Sequence, residues 1–396
     1  MAFPSHRRSF HDIPEEVTSA IVAQVNRLPL SRISVLKSCC LVSHAFVRPA
    51  QARIFETINF DISRTSRFVV FQSLCRSLLK NRALGLHVRD LQVRSDTPDL
   101  YELHIPAFNA FRTMQGLTKF TFICGRRTGS GMDANDDGLV GWEQFARTVQ
   151  ANLDFLFALP SLRTLEVGGI QNFPSSILLT FMRIHHLLID AHFTVDAGLA
   201  AGSATSLKVL SSIKLKSLTL REVGKELISA LTSMLAYNPT TLKRLDLAPV
   251  KVVGVDEFSS SVWGLIRLGG RALEEFEWES VSSRPNGFKP IDLGSIRATL
   301  KHLTVSITYS ANFAEPQVLN DLQTLLRQLS SPDAALEVVT IKASFAGGSS
   351  SSDGGSTSAD FNGGFDPTND PEFLDEWSEL DKILSHKKGF QETRSA

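Results

Sequence analysis

One phrase, apolar-x-x-apolar-x-apolar, recurs nine times between residues 88 and 341 and limits what this chain can fold into. It reads VRDLQV from Val88, LTKFTF from Leu117, LRTLEV from Leu162, IHHLLI from Ile184 and LKSLTL from Leu215. It continues as LKRLDL from Leu242, LEEFEW from Leu273, LKHLTV from Leu300 and LEVVTI from Leu336. The last four residues of each phrase alternate, as a half-buried strand does. Helical patterns fall between several of them: VVFQSLCRSLLKN, WEQFARTVQANLDFLFAL, ELISALTSMLAY and LNDLQTLLRQL. One strand, one turn and one helix cannot bury an apolar face alone, so successive units must stack.

The starts lie 29, 45, 22, 31, 27, 31, 27 and 36 residues apart. Most of these steps approach the roughly 20–29-residue period of leucine-rich repeats. The expected fold is therefore α/β: a leucine-rich-repeat-like solenoid over residues 65–345, with a parallel sheet inside and helices outside. No regular asparagine follows the strands, and the irregular spacing predicts long loops with room for variety in binding.

Upstream, DIPEEVTSAIVAQV places Val17, Ile21 and Val25 on one stripe. Pro14 and the acids Glu15 and Glu16 suit a first helical turn. ISVLKSCCLVSHAFVRPAQARIF continues the helical pattern, and Pro49 predicts a break, with Ala50 to Phe55 forming a third short helix. Three helices in so short a stretch bury too little apolar surface to stand alone.

Ile13, Pro14, Glu16 and Val17, followed by Leu41, Val42, Ser43, Phe46, Arg53, Ile54 and Phe55, resemble an F-box over residues 10–58. The likeness is strongest to F-box proteins abundant in mushroom-forming fungi, where a similar CxLVSxxFxxPAQxxIF stretch precedes irregular leucine-rich repeats. Ile13 stands where leucine is usual and Phe46 where many members have tryptophan, both preserving apolar volume. The resemblance implies a three-helix adaptor-binding bundle. It also implies two partners, a Skp1-type adaptor with its cullin and an unknown protein substrate held by the repeats. Ile13, Pro14, Val17, Ile21, Leu41 and Val42 are then the candidates for the docking surface or the small core behind it. The other expectation is an N-terminal helical cap on a non-catalytic interaction scaffold.

Other signals are weaker. Lys+Arg and Asp+Glu are both 41, which offers no overall electrostatic case for nucleic acid or an anionic membrane. No window of 18 uncharged apolar residues exists, and the first residues lack the apolar core of a secretory signal. Four cysteines, at 39, 40, 75 and 124, follow no metal or disulfide spacing and read as reduced thiols, placing the chain in cytoplasm or nucleus. Asp133, Asn135, Asp137 and Gly138 imitate a calcium loop, but its twelfth position is Gln144 instead of glutamate, so a solvated acidic insertion is expected. His185, His186 and His192 cluster without ligand geometry. Cys40 and His44 lack an orienting acid nearby in sequence. No catalytic residue, metal or cofactor is expected, and the chain is read as a non-enzyme. A Gly/Ser-rich stretch over 347–364 reads as a flexible linker. Residues 370–388 read as an amphipathic helix carrying Phe373, Trp377, Leu380 and Leu384, suited to capping the last repeat.

Overall fold

The computed structural model describes residues 13–27, 32–61, 65–95, 108–125, 140–190, 193–196, 213–221, 223–236, 242–248, 255–270, 272–281, 292–310, 317–331 and 333–346, together with Ser378, Leu380, Lys382 and Ile383. The chain divides into two compact units, Met1–Gln171 and Asn172–Ala396.

The first unit opens with three helices, α1 (Glu15–Val25), α2 (Arg32–Val42) and α3 (His44–Ile54). Pro14 lies just outside α1 as its cap, and its carbonyl accepts from the amides of Val17 and Thr18 at 3.0 and 3.2 Å. Glu15 and Glu16 then occupy the positive end of the helix dipole. The break expected at Pro49 falls instead at Ser43. That residue turns extended, and its hydroxyl accepts from the Ala45 amide at 3.3 Å, starting α3. Pro49 is carried inside α3. A proline there removes one ladder hydrogen bond, a loss that burial of Phe46 and Ala50 on the same helix offsets. Val22, Leu36, Phe46 and Ala50 form a small core, with Val25, Cys39, Cys40 and Ile54 packed against it.

Only Phe55 and Glu56 separate α3 from the first strand, β1 (Thr57–Asp61). The boundary drawn at residue 58 from the sequence therefore falls inside a strand. Helices α4 (Thr65–Lys80) and α5 (Arg82–Gly85) follow, then β2 (Asp90–Ser95), a 3-10 turn at Asn109–Thr113 and β3 (Lys119–Cys124). The unit ends with β4 (Val140–Gly141), a 3-10 turn at Trp142–Gln144, α6 (Arg147–Phe157), β5 (Thr164–Gly168) and β6 (Ile170–Gln171). Strands β1, β2, β3 and β5 lie side by side in chain order, all parallel, while β4 and β6 form a separate two-stranded ladder. Gly169 joins β5 to β6 at φ +70°, and a Cβ there would collide with the Cys124 carbonyl oxygen.

The second unit contains α7 (Ser175–Phe181), β7 (His186–Asp190), β8 (Ser217–Arg221), α8 (Lys225–Leu235), β9 (Arg244–Ala248) and α9 (Val255–Gly269). It continues through β10 (Glu275–Val281), β11 (His302–Ser310), α10 (Gln317–Leu329) and β12 (Val338–Ala346). Its six strands, β7 to β12, are again parallel and ordered as in the chain.

Every one of the nine sequence phrases is a strand, and each strand begins two residues after the phrase does. The register stacks like positions on like. In the first unit the fourth positions pair as Ile58, Leu91, Phe120 and Leu165, and the sixth as Phe60, Val93, Phe122 and Val167. In the second, Leu218, Leu245, Phe276 and Leu303 align, as do Leu220, Leu247, Trp278 and Val305. All of these are buried, each side chain contributing about 1.5–3 kcal/mol of apolar transfer. Phe55, Ile58 and Phe60 show that β1 carries a tenth copy of the phrase, at which the sequence reading ended the helical bundle.

The residue at the second phrase position closes each step. The Glu56 carbonyl accepts from the amides of Arg89 and Asp90, that of Arg89 from Thr118 and Lys119, and that of Lys243 from Glu274 and Glu275, all at 2.9–3.0 Å or, for Glu274, 2.8 Å. This backbone ladder satisfies the turns without the missing asparagines. A relay of rings, Phe60, Phe71, Phe108, Phe111, Phe120 and Phe157, ties α4 and α6 to the buried face of the first sheet, with centroids 4.5–6.5 Å apart. Helices α5, α7 and α9 and strands β4 and β6 had no assignment from the sequence. Near the C-terminus Ser378, Leu380, Lys382 and Ile383 are helical and Leu380 is buried, whereas Phe373, Trp377 and Leu384, like the 347–364 stretch, lie outside the described residues.

Candidate interaction surfaces

Two surfaces of the first unit and one of the second present chemistry to solvent. The first is the outside of the helical bundle. On α1, Thr18 and Val22 turn inward, which leaves Val17 and Ile21 on the next ridge, 46% and 43% exposed. On α2, Leu36 alone is fully buried, and the last two residues, Leu41 and Val42, are 88% and 65% exposed. Ile13 is half-buried and Pro14 exposed. Of the six residues singled out from the sequence, the structure therefore leaves Pro14, Val17, Ile21, Leu41 and Val42 facing outward, and none belongs to the bundle's core cluster. Ile33, 49% exposed, adds an apolar group that the sequence reading left out.

The second surface is a cleft of about 220 Å³ between α1, α3 and the approach to β2. Val22, Pro49 and Ala52 form its apolar part, and Arg53, Glu56, His87 and Arg89 its polar rim. Arg53 donates to both Glu56 carboxylate oxygens at 3.2 and 3.0 Å, and Arg89 donates to the Gly116 carbonyl at 2.6 Å. Partial burial, then the charges of Arg48 and Arg89, hold His87 below the usual imidazole range. Of these four rim residues only Arg53 appears in the sequence reading, as part of the F-box-like pattern and not as a candidate site residue. A signal was nevertheless there: Val17 to Phe55 contains no Asp or Glu, nor does Ile62 to Arg89. Residues 17–89 carry eleven Lys and Arg against Glu56 and Asp61, a net of +9 within a chain whose total is zero.

The third surface is the outward side of the strands in the second unit. Glu274 holds both Lys243 and Lys301, at 2.8 and 3.1 Å. Arg244 reaches Glu275 and Glu277, at 3.1 and 3.2 Å, and Lys342 of β12 reaches Glu277 at 2.7 Å. Asp246, opposite Glu277, is nearly buried. Loss of hydration and the Glu277 charge raise its carboxyl above the usual range, against the pull of Arg221, Arg244 and the Thr219 hydroxyl. Hydrogen bonds from Lys243 and Lys301 hold Glu274 below that range. These exposed pairs give the face a fixed pattern of charge more than stability.

The tempting chemical motifs resolve simply. Of the calcium-like loop, Asp133, Asn135, Asp137 and Gly138 lie outside the described residues, and the Gln144 side chain accepts from the Gly141 amide at 3.3 Å, closing the turn that precedes α6. His192 also lies outside them, and the His185 and His186 rings stand at 89°. Among the described residues no group of three His, Cys, Asp or Glu could hold a metal, and no helix is long and apolar enough to cross a membrane. None of the four cysteines is in a disulfide. Cys75 and Cys124 are buried, and burial pushes Cys75 up to about 12, which keeps it a packed thiol.

No family model matches the chain, and no curated protein does. Among solved structures, an internalin from Listeria monocytogenes is similar at 11% identity and a TM-score of 0.27, over 67% of this chain. The chain spans 64% of the length of that internalin. So distant a likeness carries no argument, and the parallel, repeat-built sheets stand on the register described above.

Proposed function

We propose that the chain is the substrate-recognition subunit of a Skp1–cullin–F-box type ubiquitin ligase, acting in cytoplasm or nucleus. The observation that carries this is the exposure of Val17, Ile21, Leu41 and Val42 on a three-helix bundle that has its own buried core. Apolar side chains left outward by a bundle with a complete core mark a surface meant for a partner. The partner is a Skp1-type adaptor and, through it, a cullin. A protein target lies against the repeat-built sheets, whose outward side chains carry a patterned but balanced charge that favours selection over bulk attraction. The mechanism is proximity: the receptor raises the local concentration of a target lysine near a charged conjugating enzyme. The chain makes no bond itself and needs no metal or cofactor.

A second reading has an observation of its own. The bundle runs into β1 across only two residues, as a cap on a non-catalytic scaffold would. The experiment that separates them is direct binding of the purified chain to a fungal Skp1-type adaptor, beside a Val17→Asp/Leu41→Asp variant checked by circular dichroism. Both positions are exposed, so the variant is expected to stay folded while affinity drops about 30-fold or more, as for two anchors worth about 1 kcal/mol or more each. A folded parent that binds no adaptor leaves the scaffold.

A further inference from the structure

We infer that the cleft between α1, α3 and the approach to β2 binds an acidic polypeptide segment, seating a carboxylate side chain with a small apolar neighbour. Three features point to this occupant. Its volume, about 220 Å³, is under the roughly 300–1,000 Å³ typical of small-molecule sites and suits one or two side chains. Its interior is divided: Pro49 and Ala52, backed by the buried Val22, offer an apolar contact, and Arg53 and Arg89, which use only Nη1 in their bonds to Glu56 and the Gly116 carbonyl, keep further guanidinium N–H groups for a carboxylate. Arg48 lies close enough to act on His87, and makes no ion pair among the described residues, so its charge adds to the field over the cleft. The net +9 of residues 17–89 then steers an acidic segment toward this part of the chain.

The same features argue against a nucleic-acid backbone. A compact pocket with an apolar part differs from the basic groove that tracks a strand. The cleft shares no residue with the adaptor surface proposed above, so this inference stands or falls separately.

The test is fluorescence anisotropy on the full chain with a labelled Asp/Glu-rich peptide containing Val and Ala. The same peptide with Gln and Asn for its acids, and a single-stranded DNA of matched charge, serve as comparisons. The acidic peptide is expected to bind at least tenfold more tightly than either. Arg53→Gln/Arg89→Gln is expected to weaken it at least tenfold. Ala52→Phe, which fills the cleft without altering charge, is expected to do the same, so the result does not rest on one variant's folding. Arg76→Gln removes a cation of α4 that does not line the cleft and is expected to cost less than twofold. Equal binding of the neutral peptide, tighter binding of DNA, an equal loss in Arg76→Gln, or unchanged binding in Ala52→Phe would each overturn the inference.

Discussion

Asp246 shows how one residue is set by its neighbours in space and not in sequence. LKRLDL gives it an outward strand position, ordinarily a wet one, yet it is nearly buried, with Glu277 directly across on β10. Its folded pKa is raised, so the folded state binds the proton more tightly than the unfolded chain. The stabilising contribution is therefore present at low pH and lost as pH rises from the unfolded carboxylate range through the raised folded value. Replacing Glu277 by Gln removes a repelling charge and frees Arg244 toward Asp246. The Asp246 pKa is expected to fall in Glu277→Gln, read by carboxyl-carbon NMR titration; an unchanged or higher value would exclude the Glu277 charge as a cause. Gly169 is a second residue of this kind, since its left-handed backbone and the adjoining Cys124 carbonyl become visible only once β3 and β5 are laid side by side.

At the scale of the element, α3 carries the clearest conflict between local preference and tertiary context. A proline in a helix interior costs on the order of 3 kcal/mol relative to alanine, which is why a break at Pro49 was the natural expectation. The helix survives because Phe46 and Ala50 are buried on either side of it. Pro49→Ala restores an amide donor and is expected to raise the melting temperature by several degrees, as about 1 kcal/mol or more does in a domain of this size; a lower value would mean that the proline's contact in the cleft outweighs its backbone cost. Short β1 was missed for a related reason. Phe55, Ile58 and Phe60 repeat the phrase, but they follow a helical pattern without a turn signal, so Phe55 was read as the end of the third helix and the residues after it as no strand.

At the scale of the whole molecule, the stacked register makes cost depend on a strand's place in its sheet. Leu245 of β9 is fully buried and aligned between Leu218 and Phe276. Val338 opens β12, the last strand in the second unit's sheet order, and is 42% exposed. Leu245→Ala is expected to lower unfolding free energy by about 2–5 kcal/mol, and Val338→Ala by about 0.5 kcal/mol or less, measured by denaturant titration. Similar costs at the two positions would contradict the stacking of units as the source of stability.

The sequence by itself determined the repeat. Nine phrases became nine strands with a constant offset, because alternating apolar positions can be buried only when every copy presents them at the same height. The resemblance to an F-box pointed to Ile13, Pro14, Val17, Ile21, Leu41 and Val42 as candidates before their exposure was visible. Only the tertiary structure decided that Val17, Ile21, Leu41 and Val42 face outward while Thr18, Val22 and Leu36 close the core. It alone brought Arg53 to one cleft with His87 and Arg89, which lie more than thirty residues further along the chain. Burial along a strand or helix follows a period that one segment can display, whereas a cleft or a charge network is made by distant segments meeting, which no local pattern encodes.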